Sequence, residues 1–175
     1  MEEQIMNMPA VALRGLTILP GMIAHFDISR ARSLRAVEEA MEQDQKIYLV
    51  TQRNVDSEDP TQEDLYQMGI VADIKQVVRL QNDVVRILVD GISRAALLGF
   101  TGNEKYLEAE ICYCDSNADS LPEDLREAML LGVREAFHRY AAVVGKISKE
   151  LIRQIDQYED LEKLIDYVTN NLPVS

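Results

Sequence analysis

The chain has 175 residues, of which 47% are hydrophobic and 27% charged, a balance that supports a packed core and excludes a disordered segment. Its net charge is −12, shared as −8 over residues 1–115 and −4 over residues 116–175. No concentrated positive surface is available to displace counterions from phosphate, so DNA, RNA and anionic lipid are poor partners and a protein partner is expected.

No apolar run approaches the ~18 residues of a membrane span. The opening Met1-Glu2-Glu3-Gln4 is acidic, unlike a signal or transit peptide, which leaves the cytoplasm as the expected location. Cys112 and Cys114 are the only cysteines. On a strand they point the same way, so a bridge between them is strained, and one C-x-C is a weak metal motif. Two reduced cysteines are expected, as in a reducing compartment.

The first two-thirds of the chain reads as strands around one helix. Val11 and Leu13 alternate with Ala10, Ala12 and Arg14, then Met22, Ala24, Phe26 and Ile28 with Ile23, His25 and Asp27, the period of two that gives a strand unlike faces. Gly15 and Pro20-Gly21 supply the turns between them. A helix follows from Ser29, its expected N-cap, with Leu34, Val37 and Met41 as the inward stripe.

Lys46–Gln52 is a short strand, residues 54–63 an acidic exposed loop, and Glu63–Gln67 a one-turn helix stopped by Gly69. The strongest β signal is a long hairpin. Ile70, Ala72, Ile74, Gln76, Val78 and Leu80 form one face of its first arm. Gln81-Asn82-Asp83 is its turn, and Val85, Ile87 and Val89 lead the second arm. Asp90-Gly91 breaks or bulges the strand before it resumes from Ile92 to Phe100. A last strand, Tyr106–Cys114, turns Leu107, Ala109, Ile111 and Tyr113 inward and Glu108 and Glu110 outward.

The remainder is helical. Asp115–Ser120 is a polar linker, and Ser120 with Glu123 has capping-box spacing with Pro122 in the first turn. Leu125, Met129, Val133, Phe137, Tyr140 and Val144 form the stripe of a helix that Gly145 closes. Ser148 caps a second helix carrying Leu151, Ile152 and Ile155. Asp160 caps a third, with Leu161, Leu164, Ile165 and Val168 on one face and Pro173 as its stop. The expected fold is α+β: a mostly antiparallel β-rich lobe over residues 1–115, a curled sheet or small barrel with one inserted helix, then an α-helical lobe over residues 116–175.

Motifs for catalysis are absent or incomplete. Gly145-Lys146 lacks the first Gly of a phosphate loop, where Tyr140 stands, and has Ile147 where a magnesium-holding hydroxyl belongs. Glu135-Ala-Phe-His138 has the spacing of a carboxylate-bridged metal site but occurs once, and reads as a surface pair. His25 and Asp27 share a strand face without a marked nucleophile, so His25 is expected to face solvent or a partner. The chain is not read as an enzyme, and no catalytic, cofactor-binding or metal residues are assigned.

Pro9–Gly15, Pro20-Gly-Met22 and Ser29–Met41 resemble the opening of bacterial Lon proteases. So do Leu49–Gln52, Asp59-Pro60, Asp64-Leu-Tyr66, Gly69–Ala72, Ile74-Lys-Gln76, Val85–Gly91 and Arg94-Ala95, in the family's spacing. Leu161–Pro173 continues the resemblance more loosely. Ala12 stands where the family usually has Pro, and Asp83 where its hairpin usually has Gly.

The resemblance implies a non-catalytic amino-terminal domain that recognises unfolded or tagged substrate proteins and supports assembly of a hexamer in protein quality control. AAA+ ATPase and serine–lysine protease modules, with their ATP and magnesium, would follow it, so the chain is expected to be a piece cut within its helical lobe. The alternative is a free-standing ligand- or protein-binding module of the same domain type.

Two groups are candidate substrate or partner contacts. Leu19, Met22 and Ile23 form an apolar loop, or else plain core. Arg30, Arg32 and Arg35 crowd the first turns of a helix, where the backbone dipole disfavours cations. Either acidic neighbours on the β-rich lobe neutralise these arginines, or they meet acidic groups on substrates or a neighbouring subunit. On the dipole argument alone, exchanging Arg32 and Arg35 for Glu leaves the melting temperature equal or higher.

Overall fold

A computed structural model of the chain describes residues 5–114, 118–145 and 147–172. The acidic opening, the first half of the expected linker, Lys146 and Pro173 lie outside the described residues. The chain divides into two compact units, Met1–Cys114 and Asp115–Ser175.

In the first unit the elements are β1 (Ile5–Leu13), β2 (Ile23–Ile28), α1 (Ala31–Glu42), β3 (Lys46–Thr51), β4 (Met68–Arg79), β5 (Val85–Phe100) and β6 (Glu108–Tyr113). The strand order is β2-β5-β4-β3-β1-β6, and β5 also pairs with β6. The pairings β1–β3–β4–β5–β6–β1 therefore close on themselves: a five-stranded barrel with β2 laid against the first half of β5. All pairings are antiparallel except β1 with β3. A parallel pair needs a long crossover, and β2 with α1 provides it.

Two hydrophobic cores lie on opposite faces of this sheet. One gathers Met8, Ala10, Ala12, Tyr48, Val50, Val71, Ala95, Leu97, Ala109 and Ile111. The other gathers Val11, Leu13, Ile47, Leu49, Ile70, Ala72, Ile74, Ile87 and Val89, together with Ala36, Val37 and Ala40 of α1 and Ala24 and Ile28 of β2. β1 and β3 alternate between the two cores, so Ala10–Leu13 and Ile47–Val50 are buried at every position. The alternation expected in β1 is real in side-chain direction, but both faces are dry.

Bulges determine which residues face which core. Between the pairs Val71–Ser93 and Ala72–Gly91, Ile92 is the extra residue on β5. A bulge shifts the alternation by one. Ile87 and Val89 thus enter one core and Ala95 and Leu97 the other, although all four have odd numbers. A second bulge at Lys75 ends the inward run of β4 at Ile74. Gln76 and Val78, expected on the same face as Ile70, are exposed, and Leu80 lies beyond the strand.

The hairpin turn places Asn82 at φ 59° and Asp83 at φ 57°, with the Val84 amide bonded to the Gln81 carbonyl at 3.4 Å. Positive φ at both central residues is the type I′ geometry whose twist suits a two-residue hairpin. Asp83 thus takes the conformation that Gly takes at lower cost.

Helix α1 differs from its sequence reading at both ends of the argument. Arg30, rather than Ser29, is the N-cap residue, and no side chain caps the helix. The buried face is Ser33, Ala36, Val37 and Ala40, while Met41 is 39% exposed. Small residues let the helix axis lie close to the sheet, where a Leu–Met stripe would hold it off. The segment after the acidic loop is a single 3-10 turn, Gln62–Asp64, and Gly69 lies inside β4 rather than stopping a helix. A Cβ at Gly69 would fall 2.4 Å from the Tyr48 ring.

The second unit holds α2 (Glu123–Val144), α3 (Lys149–Gln157) and α4 (Leu161–Asn171) around Leu130, Phe137, Ile155, Leu161 and Leu164. Ser148 and Asp160 cap α3 and α4 as expected, accepting from Leu151 at 3.1 Å and Lys163 at 2.9 Å. Gly145 ends α2 at φ 67°. Ser120 does not cap α2: it belongs to a 3-10 turn, Ala118–Ser120, and Pro122 stands at the cap. The inward stripe of α2 runs through Leu130, so Leu125 and Met129 are exposed, and in α4 Asp166 is buried where Ile165 was expected.

The closest backbone approach in the first unit is at Gly91, where an added Cβ would sit 2.4 Å from the Leu19 carbonyl oxygen and 2.9 Å from Ile70 Cδ1. Gly91→Ala is expected to cost about 2–3 kcal/mol in urea unfolding, the range of an overpacked core. Gly99→Ala, whose Cβ would meet only Gln62 Oε1 at 3.8 Å, is expected to stay within about 1 kcal/mol of the parent.

Candidate functional site

The candidate residues sit on two neighbouring stretches of the first unit: the turn entering β2, and the start of α1. The turn is fastened to β5. Gly21 donates to the Gly91 carbonyl at 2.8 Å, Gly91 donates to Met22 at 3.0 Å, and Met22 donates to Leu19 at 3.1 Å. Gly21, at φ 72°, allows the reversal. Leu19 is half-buried and Met22 packs against the core, whereas Ile23 is 68% exposed. Beside them Ile92, pushed out by the bulge, is 46% exposed. The loop is thus part core and part surface, with its apolar surface held on a rigid turn.

The three arginines diverge. Arg30 is half-buried and donates to Gln52 Oε1 at 2.9 Å and the Ser57 carbonyl at 3.3 Å. Arg32 pairs with Asp59 at 3.0 Å and donates to the Asn103 carbonyl at 3.3 Å. Arg35 meets only Glu38, one turn along, at 3.0 Å and is the most exposed of the three. Within the unit, then, Arg32 and Arg35 have acidic neighbours and Arg30 has neutral oxygens. Burial and the nearby Arg14 charge hold the Arg30 guanidinium below its ordinary pKa.

Gln52, which sequence reasoning passed over, organises this region. It is 2% exposed, and its Nε2 donates to the Asn54 carbonyl at 2.9 Å and the Ser57 carbonyl at 3.0 Å. Its amide donates to Leu13 at 2.8 Å. Arg14 also donates to the Ser57 carbonyl, at 2.8 Å. The acidic loop after β3 is therefore latched at Ser57 by three side chains. The only signal in the sequence was a Gln ending an apolar strand before a polar loop.

A cleft of about 260 Å³ opens beside the latch. Its walls are the end of β1 from Val11 to Arg14, Leu16, the end of β2 from Phe26 to Ile28, and Ser29, Arg30 and Ser33 at the start of α1.

His25 and Asp27 share a strand face but do not pair. Asp27 instead holds Arg86 with both oxygens, at 2.7 and 2.9 Å, and His25 is exposed. The Arg86 hydrogen bond keeps the Asp27 carboxyl below the ordinary carboxylate range. His138 likewise turns away from Glu135 and bonds Asp156 of α3 at 2.8 Å. Cys112 and Cys114 are not joined in a disulfide, and Cys114 lies 3.6 Å from the Met68 sulfur. Among the described residues no group of three or more His, Cys, Asp or Glu could hold a metal ion, and no helix is long and apolar enough to cross a membrane.

Three variants check these contacts. Arg32→Glu sets two carboxylates face to face and loses the Asn103 bond. It is expected to lower stability by about 1 kcal/mol despite the better helix dipole, reversing the dipole-only expectation. Arg35→Glu is expected to stay within about 0.5 kcal/mol of the parent in the same thermal melts. Asp27 stabilises the fold at neutral pH, an effect lost as pH falls through its depressed pKa. Arg86→Gln is expected to move that pKa upward in a carboxyl NMR titration.

Comparison with known proteins completes the picture. Residues 7–175 match the family described as the ATP-dependent protease La (LON) substrate-binding domain. The Lon protease of Lachnoclostridium phytofermentans is 35% identical over the whole chain, which spans 22% of that protein. Lon protease of Clostridioides difficile is 34% identical over 95% of the chain and 22% of its own length. Lon protease 1 of Bacillus subtilis is 31% identical over 99% of the chain and 22% of its own length. The chain thus spans about a fifth of these relatives.

Among solved structures, the N-terminal domain of Mycobacterium avium complex Lon protease covers 97% of this chain, with 85% of its own length matched. Its TM-score is 0.74 at 16% identity, a likeness of fold. The Lon N-terminal domain protein of Xanthomonas campestris covers 96% of the chain, with 99% of its own length matched, at a TM-score of 0.54 and 14% identity. With a family match across nearly its whole length, this chain belongs to the Lon substrate-binding domain family.

Proposed function

We propose that the chain is the substrate-recognising part of a longer ATP-dependent serine protease of the cytoplasm. It holds unfolded or tagged proteins through the apolar turn that enters β2. The observation that carries this reading is Ile23, 68% exposed on a turn whose backbone is bonded to Gly91. Single exposed apolar residues are ordinary on any surface. Here Ile23 and Ile92 flank the Gly91–Met22 hydrogen bond, so two exposed apolar side chains are offered at one fixed place. An unfolded chain presents the matching apolar groups, which a folded protein buries.

Arg35, the freest of the three arginines, adds a contact for acidic groups on a substrate or a neighbouring subunit. ATP with its magnesium, the AAA+ motor and the serine–lysine protease chemistry belong to other parts of the parent protein. This domain supports hexamer assembly there and serves protein quality control. Recruitment has to be reversible, so the isolated chain binds with a Kd of about 1 µM or weaker, roughly −8 kcal/mol or less in magnitude.

Fluorescence anisotropy with a permanently unfolded labelled protein and its folded counterpart tests the reading. Binding is expected for the unfolded form only. Ile23→Asp is expected to weaken it about tenfold, the worth of one apolar side chain leaving water, with an unchanged melting temperature. Equal affinity for folded and unfolded forms, or no effect of Ile23→Asp, would overturn it.

A further inference from the structure

We propose that the cleft between the end of β1 and the start of α1 is a subsite for a carboxylate of a bound polypeptide, with an apolar side chain of that polypeptide beside it. This rests on the reading of the chain as a polypeptide-binding domain and names the chemistry of one place in it.

Three features converge there. The first is a pair of cations without an anion. Arg14 and Arg30 both line the cleft, and their hydrogen bonds go to the Ser57 carbonyl and the Gln52 amide oxygen, with no carboxylate among their partners. In a chain of net charge −12 this is not for want of acids. Asp27 lines the same cleft but is held by Arg86 through both oxygens, and Asp59 is held by Arg32. Glu58 and Asp59 act on Arg30 only through space. Burial first, and then repulsion from Arg14, lower the Arg30 pKa, and an incoming anion would offset both.

The second feature is a buried hydroxyl. Ser33 is 5% exposed and lines the cleft. Its hydroxyl is placed to donate to a ligand oxygen in the cleft. The third is the helix end itself. The twelve-residue α1 has no side-chain cap and no acidic residue in its first turn, so its leading amides and the positive end of its dipole remain available.

Size and lining narrow the ligand. A volume of about 260 Å³ lies below the ~300–1,000 Å³ of cofactor and drug-sized pockets, which leaves room for one or two residues and none for a nucleotide. Leu16 and Phe26, half-buried on its walls, offer an apolar surface beside the arginines. A carboxylate next to an apolar side chain fits both, and either a chain terminus or an Asp or Glu residue supplies it.

The test uses three ten-residue peptides of otherwise equal sequence ending in Leu: a free acid, a neutral amide, and an amide with Glu in the penultimate position. Each is titrated into the 15N-labelled chain. The free acid, the Glu peptide or both are expected to bind about tenfold tighter than the neutral amide, shifting the amide signals of Ala31, Arg32 and Ser33. The free acid alone identifies a chain terminus as the source, and the Glu peptide alone a side chain.

Arg30→Gln is expected to abolish the preference, Arg30→Lys to keep part of it, and Ser33→Ala to reduce it about threefold. Should Arg30→Gln fail to fold by circular dichroism, the comparison of peptides on the parent chain decides by itself. Equal binding of all three peptides, or a preference that survives in folded Arg30→Gln, overturns the subsite. If unfolded protein still binds through Ile23 in that case, the broader function stands. If no polypeptide binds at all, both fall.

Discussion

The fold of the first unit depends on β5 serving two hydrophobic cores at once. Its first half pairs with β2 and sends Ile87 and Val89 into one core, while its second half pairs with β6 and sends Ala95 and Leu97 into the other. A regular strand cannot do this, because its alternation would keep all four side chains on one face. The single extra residue at Ile92 makes the exchange, and Gly91 beside it lets the Leu19 carbonyl approach to where a Cβ would collide. Closure of the barrel, the docking of β2 and the seating of the turn before it all follow from that one irregularity.

The same irregularity shapes the surface proposed to bind substrates. Hydrogen bonds between Gly91 and residues 21 and 22 hold the turn, so Ile23 projects from a fixed backbone rather than a loose loop. An apolar side chain on a rigid mount loses little conformational entropy on binding, which suits a surface that must meet many sequences weakly. The bulge leaves Ile92 outside at the same place, since the extra residue has no partner to cover it.

Electrostatically the chain is acidic as a whole, yet two arginines of its first unit are held by neutral oxygens. Arg14 and Arg30 converge on the Ser57 carbonyl because Gln52, buried at the end of β3, brings the loop back to them. Neutral oxygens position a guanidinium without cancelling its charge, whereas Asp59 and Asp27 cancel the charges of Arg32 and Arg86. The arginines that looked alike in sequence therefore divide into a latch, Arg30, and two ion-paired residues, Arg32 and Arg35.

Local chemistry was legible without coordinates. The period-two pattern of β2, the Ser148 and Asp160 caps, the Gly145 stop and the place of the hairpin turn at Gln81-Asn82-Asp83 all depend on residues within four positions of one another, and the structure realises each. The α+β class and the family resemblance were equally readable, because they rest on order and spacing along the chain.

Only the tertiary structure decided what depends on residues far apart. Met41 and Ile165 are as apolar as any core residue, but α1 meets its sheet through Ala36 and Ala40, and α4 turns Asp166 inward instead. The face exchange at Ile92 comes from the registers of β4 and β6, which no window along β5 contains. Gln52 carries no local signal because its partners are Arg30, 22 residues before it, and a loop that folds back only once the strand is paired. Side-chain pattern sets which faces exist; which of them become core is set by the partner that arrives.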